Sequence, residues 1–522
     1  MNTDLSPKTQ TAQGLYTQMC ADRSSYLERG RDAARITIPT LLPDSGDTTH
    51  KKFAQPYQSV GARGVNNIAS SLLMSLLPPN APFFRLVIDE KAKREMDAVD
   101  PNIKNEVDRS MSSIERAMMK ELETSSIRVA AFEALKQLAV CGNVLLKIDE
   151  HSSVSVIRLD RYVIARDPSG NPLKIIIKES IAPHALSEDL QKYVSANKTA
   201  GEKSVDIYTC IKYEAKGMVS VYQEVKGITI PESIGSYKES ECPYLPLRLM
   251  RVDGEDYGRG FIEQYMGDLM SLEALTQAIV EGSAAAAKVL FLVNPNGTTR
   301  ARTLADSPNG AIREGSASDV TVLQVGKHAD FSIALQTMQT IQERLSYAFL
   351  LTESTIRNAE RVTAEEVRLV TQSIERQLGG VYSVLSQEFQ LPLVSRLLAT
   401  MSRQKKLPKI PKDLIQPAIV TGIDALGRGH DLNKLDVYLQ GIGQTLGPEA
   451  ISKYVNLREY MERRAAALGI DIEGLVKSEQ QLQAEQQQQQ QMMAMQQATQ
   501  SLGPGAMGMM KESMKQQGEP NG

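Results

Sequence analysis

The stretch that decides the fold is residues 363–400, TAEEVRLVTQSIERQLGGVYSVLSQEFQLPLVSRLLAT. It begins with a capping box, because the Thr363 side chain can accept the backbone N–H of Glu366 while Glu366 reaches back to the helix start. Apolar residues then recur every three or four positions, which predicts one long helix with a buried stripe. We expect Pro392 and the glycine pair at 379–380 to bend or weaken this helix.

A second helical pattern lies just before it, at residues 331–351, FSIALQTMQTIQERLSYAFLL. Its apolar stripe consists of Phe331, Leu335, Met338, Ile341, Leu345 and Leu350. The polar segment 352–362, TESTIRNAERV, separates the two patterns and contains Arg357 and Arg361 but no glycine or proline. The sequence therefore predicts two long helices joined by a short charged loop.

The rest of the chain alternates between helical and strand-rich parts. Up to about residue 150 the periodicity predicts helices over 59–77, 108–122 and 129–140, the last one stopped by Cys141-Gly142-Asn143. Short runs rich in β-branched residues then predict antiparallel strands at 144–148, 154–159, 162–165, 174–177, 206–213, 218–225 and 247–252. Helical periodicity returns from Ile262 to Ile279, and residues 289–330 contain two predicted strands, 289–293 and 320–325, around a Gly/Pro/Ser-rich loop.

Length and composition limit the possible classes of protein. A chain of 522 residues is too long for one hydrophobic core, so we expect roughly two to four structural units. The formal net charge of −3 argues against an open DNA-binding surface, which needs an excess of basic residues. The amino terminus lacks the apolar core of a secretory signal, and the most apolar helical stretch, 284–293, is too short to cross a bilayer. We expect no membrane association.

Motifs for catalysis or cofactor binding are weak throughout. The segment GIGQTLG, 441–447, resembles a dinucleotide fingerprint but is one residue too long and follows a predicted helix rather than a strand. Five histidines never pair at ligand spacing, and four cysteines, Cys20, Cys141, Cys210 and Cys242, are scattered without a CxxC. No Walker A pattern and no GxSxG motif occur. We expect no cofactor, no metal and no catalytic residues.

Four blocks of the sequence resemble, in the same order, the portal proteins of short-tailed, podovirus-like bacteriophages, the head-to-tail connector family. These blocks are YGRGFIE at 257–263, AKVLFLVNP at 287–295, NAERVTAEEV at 358–367 and TGIDALGRG at 421–429. The similarity extends from about residue 16 to about residue 474 of the chain.

This resemblance implies an α+β, mainly helical fold: a portal-type ring subunit with wing, stem, clip and crown regions and a low-complexity C-terminal tail. The implied division is a wing at 1–256 (helical, then antiparallel β-rich), stem helix 1 at 257–288, a clip at 289–330, stem helix 2 at 331–351, a channel loop at 352–362, a long kinked wing helix at 363–400, a crown at 401–474 and a Gln/Met-rich tail or barrel at 475–522. Low complexity favours disorder in the tail of an isolated chain, and a helical bundle built from several subunits is the alternative.

The resemblance also implies a function. Portal proteins form a dodecameric ring at one capsid vertex, through which double-stranded DNA enters and leaves the head. The implied partners are the large terminase subunit, which is the packaging ATPase, the major capsid and scaffold proteins, tail adaptor or tube proteins, and internal core proteins. The chain would be a passive conduit rather than an enzyme, made in the host bacterial cytoplasm and located at the head-tail vertex of the virion.

Five basic residues are candidates for contact with DNA in such a channel: Lys288, Arg300, Arg302, Arg357 and Arg361. Each one alone is typical of a solvated surface charge. In a cyclic oligomer, however, every position recurs around the axis, so one inward-facing arginine becomes a belt of charge. Such a belt attracts phosphates without distinguishing sequences.

Two other functions are compatible with parts of the sequence. Another ring or core protein of a virion, such as a tail adaptor or an internal head protein, would share the long helices but not all four ordered blocks. A cytosolic α+β enzyme would bind a small ligand in a concave pocket and show turnover without partners.

Overall fold

The computed structural model describes residues 11–44, 52–79, 83–88, 101–185, 204–286, 290–308, 310–323, 328–351, 380–407, 415–419 and 427–447, and singly 455, 460 and 461. The chain divides into two compact units, Met1–Ala425 and Leu426–Gly522.

In the described residues, the first part of the larger unit consists of four helices and one short strand. They are α1 (Ala12–Ile36), α2 (Val60–Leu76), β1 (Phe84–Ile88), α3 (Pro101–Thr124) and α4 (Ile127–Cys141). The helices expected at 59–77, 108–122 and 129–140 are confirmed as α2, α3 and α4. Helix α4 stops where the sequence predicts, because Gly142 adopts a left-handed backbone (φ 73°) and its N–H donates to the carbonyl of Leu138 at 2.8 Å.

Eight strands follow, and they form two antiparallel sheets. They are β2 (Asn143–Ile148), β3 (Val154–Ile157), β4 (Tyr162–Arg166), β5 (Pro172–Ile181), β6 (Val205–Glu214), β7 (Met218–Val225), β8 (Ile228–Lys238) and β9 (Tyr244–Arg248). The strand orders are β3-β2-β9 and β4-β5-β6-β7-β8. The predicted antiparallel pairing is confirmed. The strand expected at 247–252 starts and ends earlier in the chain, as β9, and strand β8 was not predicted.

Helix α1 docks on the five-stranded sheet through two buried charged residues. The carboxylate of Glu224 on β7 accepts the backbone N–H of Ala12 at 2.6 Å, at the helix start, where such groups lack an intrahelical partner. About three turns further along α1, the guanidinium of Arg23 donates to the carbonyls of Leu159 and Tyr162 at 3.0 and 2.7 Å. These long-range hydrogen bonds hold α1 in place.

A helical hairpin follows the sheets. It consists of α5 (Met266–Ala286), β10 (Leu290–Val293), the short helix α6 (Ala301–Ala305), β11 (Val320–Leu323) and α7 (His328–Ala348). The two strands expected in this region are confirmed, and they pair antiparallel, with Val293 opposite Val320.

Of the long helix predicted at 363–400, the structure describes residues from 380 onward. A π-helical turn, Ser386–Gln390, leads directly into α8 (Leu391–Arg403), so the irregularity lies next to Pro392 as predicted. An α-helical register would press the proline ring against the carbonyl of Glu388. The capping box at Thr363 and Glu366 lies outside the described residues. After α8, β12 (Ile415–Ile419) pairs antiparallel with β1.

The smaller unit contains α9 (Gly427–Leu446). The glycine motif at 441–447 forms the last six residues of this helix and the residue after it, so it is not the strand–turn–helix that a dinucleotide site needs. Among the described residues no helix is long and apolar enough to cross a membrane. Over the same residues no group of His, Cys, Asp and Glu could hold a metal ion.

Candidate functional site

The YGRGFIE block, 257–263, forms the junction between the sheets and the helical hairpin. A Cβ atom on Gly260 would lie 2.4 Å from the carbonyl oxygen of Val140, and one on Gly258 would lie 2.8 Å from that of Gly142. The side chain of Asn143 accepts the N–H of Gly258 at 2.7 Å and donates to its carbonyl at 2.8 Å. Glycine is therefore required for two backbone segments to touch, and this contact fixes where the hairpin begins.

A charged network surrounds the same junction. Arg259 donates to Glu255 at 2.9 Å and to Glu263 at 3.2 Å, and Arg29 of α1 contacts Glu263 at 3.0 Å. The hydrogen bond from Arg259 lowers the pKa of the Glu255 carboxyl below its ordinary value. The network ties α1 to the start of the hairpin.

The two long helices of the hairpin, α5 and α7, both contribute buried side chains to the main core. Leu269 and Leu272 of α5 and Ile341 and Leu345 of α7 are buried in the main core. Farther along α5, Gly282 leaves room for an aromatic ring, because a Cβ atom there would lie 2.7 Å from the ring of Phe331.

The outward surfaces of these helices carry large apolar side chains. The exposed fractions are 60% for Met270, 49% for Val280, 66% for Ile333, 44% for Leu335 and 71% for Tyr347. Ile333 and Tyr347 are fourteen residues apart, two heptads along α7, and thus lie near one face of that helix. Isolated exposed apolar residues are ordinary, but five large ones on the two helices of one hairpin are typical of a surface that takes part in protein–protein contact.

Helix α5 is also acidic. Its 21 residues include Asp268, Glu273 and Glu281 and contain no lysine or arginine. The carboxylate of Glu273 accepts the backbone N–H groups of Tyr57 and Gln58 at 2.8 and 3.1 Å. Asp268 accepts a hydrogen bond from Arg344 of α7 at 2.8 Å.

Asp319 organises the end of the hairpin between α5 and α7. Its side chain accepts the N–H of Thr299 and the hydroxyl of Thr298, both at 3.0 Å. These hydrogen bonds lower the pKa of Asp319. A Cβ atom on Gly297 would lie 2.3 Å from the Asp319 carboxyl carbon, so the turn is built around a glycine.

Two of the five predicted DNA-contact residues are described, and both lie at this end of the hairpin. Arg300 is exposed immediately before α6. Arg302, in the first turn of α6, has 96% of its side chain exposed and lies 4.0 Å from Asp306. Lys288, Arg357 and Arg361 lie outside the described residues.

Comparison with known proteins decides the family. A family model described as "Bacteriophage head to tail connecting protein" matches residues 9–476. The portal protein of Escherichia phage T7 is 40% identical over 504 residues, covering 95% of this chain and 93% of that protein. The chain belongs to this head-to-tail connector family. The portal protein of Enterobacteria phage T3 is 41% identical over 482 residues, covering 91% of this chain and 89% of that one.

The portal-family resemblance of the four sequence blocks is thereby confirmed, as is the mixed helix and sheet fold. This portal-family chain is a head-to-tail connector, a structural component of the phage virion. Among solved structures, a chain from the neck of an empty GTA particle computed with C6 symmetry matches with a TM-score of 0.37 and 12% identity, covering 74% of this chain and 87% of that one. A TM-score this low supports no further conclusion.

Proposed function

We propose that twelve copies of this chain form a ring at one capsid vertex and that the ring is the conduit for double-stranded DNA during packaging and ejection. The observation that carries this proposal is the set of exposed apolar side chains on both helices of the α5–α7 hairpin, which lie on more than one face, as a subunit with a neighbour on each side requires. Since each is only partly exposed, burying the remainder of these side chains is worth about 1–2 kcal/mol each. Contact between hairpins of neighbouring subunits would bury them.

The composition of α5 fits such a contact. Gly267, Met270, Ala274 and Ala278 are all exposed, and they recur at three- and four-residue spacing. Small residues on one helix allow a neighbouring helix to come close, while the methionine and the apolar residues of α7 supply the buried area. A ring needs this kind of head-to-tail contact, in which the two touching surfaces differ.

The charge of the hairpin fits a conduit through which DNA slides. Of the three carboxylates of α5, Asp268 is paired with Arg344 of α7. In the proposal, Glu273 and Glu281 recur twelve times in the ring, and an acidic wall keeps phosphates from binding at many points. In this proposal Arg357 and Arg361, in the channel loop 352–362, make limited non-specific contacts with DNA, and Lys288 is a further candidate for such a contact. Arg300 and Arg302 make the same kind of contact at the end of the hairpin between α5 and α7.

The proposal also divides the chain into regions. These are a wing before residue 257, stem helices at 257–288 and 331–351, a clip at 289–330, the long wing helix at 363–400, a crown at 401–474 and a tail or barrel after it. The clip is the proposed docking surface, where Ile312 is 98% exposed. The large terminase subunit would dock there first, and tail adaptor or tube proteins after packaging. Capsid, scaffold and internal core proteins would contact the remaining regions.

The mechanism is passive, since the energy for translocation comes from the packaging ATPase and the chain itself performs no catalysis. The ring would be made in the host bacterial cytoplasm and built into the head there.

The proposal is tested by replacing Arg357 and Arg361 with alanine together. We expect rings in normal yield, seen by electron microscopy, and a lower mass of DNA packaged or retained per particle. The matched control is Arg63→Ala with Lys238→Ala, which removes the same charge from exposed positions of the wing and should leave packaging unchanged. Loss of the ring itself, or equal packaging in both double variants, contradicts the assigned role of the loop.

A further inference from the structure

In the described part of the chain, six buried side-chain nitrogen or oxygen atoms have no hydrogen-bond partner within the protein. Four of them belong to arginines, and the other two are the hydroxyls of Ser152 and Thr400. Ser152 is 1% exposed and Thr400 is 3% exposed. An unbonded buried polar atom costs free energy, so such atoms are normally bonded to protein, to water or to a bound ligand.

Thr400 lies in helix α8 but does not make the hydrogen bond that is usual for a helical threonine. Elsewhere in the described helices Thr276, Thr337 and Thr340 each donate to the carbonyl four residues earlier, at 2.7, 3.0 and 3.1 Å. The Thr400 hydroxyl is therefore available to a partner outside α8.

The face of α8 that carries Thr400 packs on the turn between β2 and β3. Four residues before Thr400, the guanidinium of Arg396 donates to the last carbonyl of β2 at 3.5 Å. Four residues after it, the side chain of Gln404 donates to the carbonyl of Glu150 in the turn. Residues four apart share one face of a helix, so Thr400 lies between these two contacts and against the turn.

Ser152 belongs to the same turn. It adopts a left-handed backbone conformation with φ 59°, and its N–H donates to the carbonyl of Asp149 at 3.4 Å. Its neighbours His151 and Ser153 are exposed, whereas Ser152 is buried. The turn thus directs the Ser152 side chain into the protein, and α8 is the helix hydrogen-bonded to this turn.

Arg396 places a buried positive charge at this contact, since it is 2% exposed. Its Nη1 and Nη2 atoms donate to the carbonyls of Glu241 and Ile148 at 2.8 and 3.5 Å, and its Nε has no partner. The carboxylates of Glu150 and Glu241 lie 3.7 and 3.6 Å from Arg403 and are not within ion-pair distance of Arg396. Burial lowers the pKa of the Arg396 guanidinium, and the charge of Arg403 lowers it further. A buried cation in this position calls for an anion.

We propose that Arg396, Thr400 and Ser152 hold a small monovalent anion, of the size and charge of chloride, at the contact between α8 and the β2–β3 turn. All three offer donors, one guanidinium N–H and two hydroxyls, and a chloride ion accepts from all of them, whereas a water molecule also needs acceptors for its own protons. The three atoms are almost inaccessible to solvent, which favours an ion no larger than a halide over phosphate or a carboxylate ligand. The ion offsets the charge of Arg396 and fastens α8 to the three-stranded sheet. The inference does not depend on the proposed function.

Thr400→Val is the discriminating variant, because valine keeps the shape of threonine and removes the hydroxyl. Its control is Thr17→Val, at an exposed position of α1. The measurement is urea unfolding of the full-length unassembled chain in sodium chloride and in sodium gluconate at equal ionic strength. Gluconate supplies the same charge in an ion too large for the buried site.

We expect the unfolding equilibrium constant of the parent to fall about tenfold when chloride, at about ten times its dissociation constant, replaces gluconate. Thr400→Val should lose most of this chloride effect, and Thr17→Val should keep it. Ser152→Ala should also lose it, with Ser153→Ala, at the exposed neighbouring position, as its control.

Three results of the urea experiment would overturn the proposal. Equal destabilisation of Thr400→Val in both salts means that a water molecule serves this hydroxyl. A Thr400→Val variant at least as stable as the parent in both salts means that nothing is bound there, because replacing an unbonded buried hydroxyl by a methyl group is favourable. A chloride effect of equal size in the parent and in Thr400→Val places the ion elsewhere.

Bromide gives a direct check of the position of the ion. Crystals of the parent grown with bromide in place of chloride should show an anomalous peak beside the Nε atom of Arg396, and crystals of Thr400→Val should show a weaker one. Absence of a peak in the parent overturns the site.

Discussion

The apolar surface of α7 gives the sharpest test of how subunits associate. Ile333 has 66% of its surface exposed in the single chain. Burying a whole isoleucine side chain is worth about 1.5–3 kcal/mol, so covering the exposed two-thirds is worth about 1–2 kcal/mol. The variant Ile333→Ser should therefore weaken each contact between subunits roughly five- to thirtyfold. It should leave the stability of the unassembled chain within about 0.5 kcal/mol of the parent, since the side chain has little to lose there.

The assay is the fraction of assembled protein as a function of concentration, measured by analytical ultracentrifugation, together with the urea midpoint of the unassembled chain. Gln339→Ser, at an exposed polar position of the same helix, is the control and should change neither quantity. A variant Ile333→Ser that unfolds at lower urea yet assembles at the parental concentration would refute the reasoning. Such a result would mean that Ile333 packs within its own subunit.

Three further predictions concern the described core. Glu388→Ala leaves the guanidinium of Arg248, which is 3% exposed, without its carboxylate partner, and should cost about 3–5 kcal/mol in urea unfolding; a loss below about 1 kcal/mol would contradict a buried ion pair. Gly260→Ala should cost about 1–3 kcal/mol because its Cβ meets a backbone carbonyl at 2.4 Å, and a variant as stable as the parent would show that this contact is not tight. Burial raises the pKa of the Cys141 thiol to about 12, so at pH 8 this thiol should stay protonated and react slowly with iodoacetamide. Mass spectrometry of the labelled protein should show half-buried Cys20 alkylated first. Early labelling of Cys141 would argue against its burial.

Apolar periodicity correctly predicted the helices and strands whose position depends on local residue spacing. Helices α2 and α4 and most strands of the two sheets follow from apolar spacing and from Gly142 as a stop. Strand β8 was missed because Pro231 and Gly235 are typical of loops, whereas in the described part of the chain they lie on the edge strand of the five-stranded sheet.

Burial along the hairpin could not be predicted from spacing alone. The stripe that predicted α7 includes Leu335, which is 44% exposed, while the more exposed Ile333 lies outside it. A single chain does not determine which apolar residues a second protein covers, so an apolar pattern cannot separate an internal face from an interface.

The hydrogen bonds that α2 makes to distant parts of the chain could not be predicted from the sequence either. Asn67 lies among apolar residues of an amphipathic helix, and its acceptors are the carbonyls of residues 349 and 350, 282 and 283 positions away. Side-chain amides that bond to distant backbone leave no local pattern. The predicted DNA contacts at Arg357 and Arg361 stay predictions, because the loop that carries them lies outside the described residues.

The measurement that tests the central claim most directly is the native mass of the purified protein with end-on electron images, taken with and without scaffold protein. The account predicts a species of about 689 kDa (12 × 57.4 kDa) with a central hole. A particle that remains a 57.4 kDa monomer at every concentration, even with scaffold present, would contradict it.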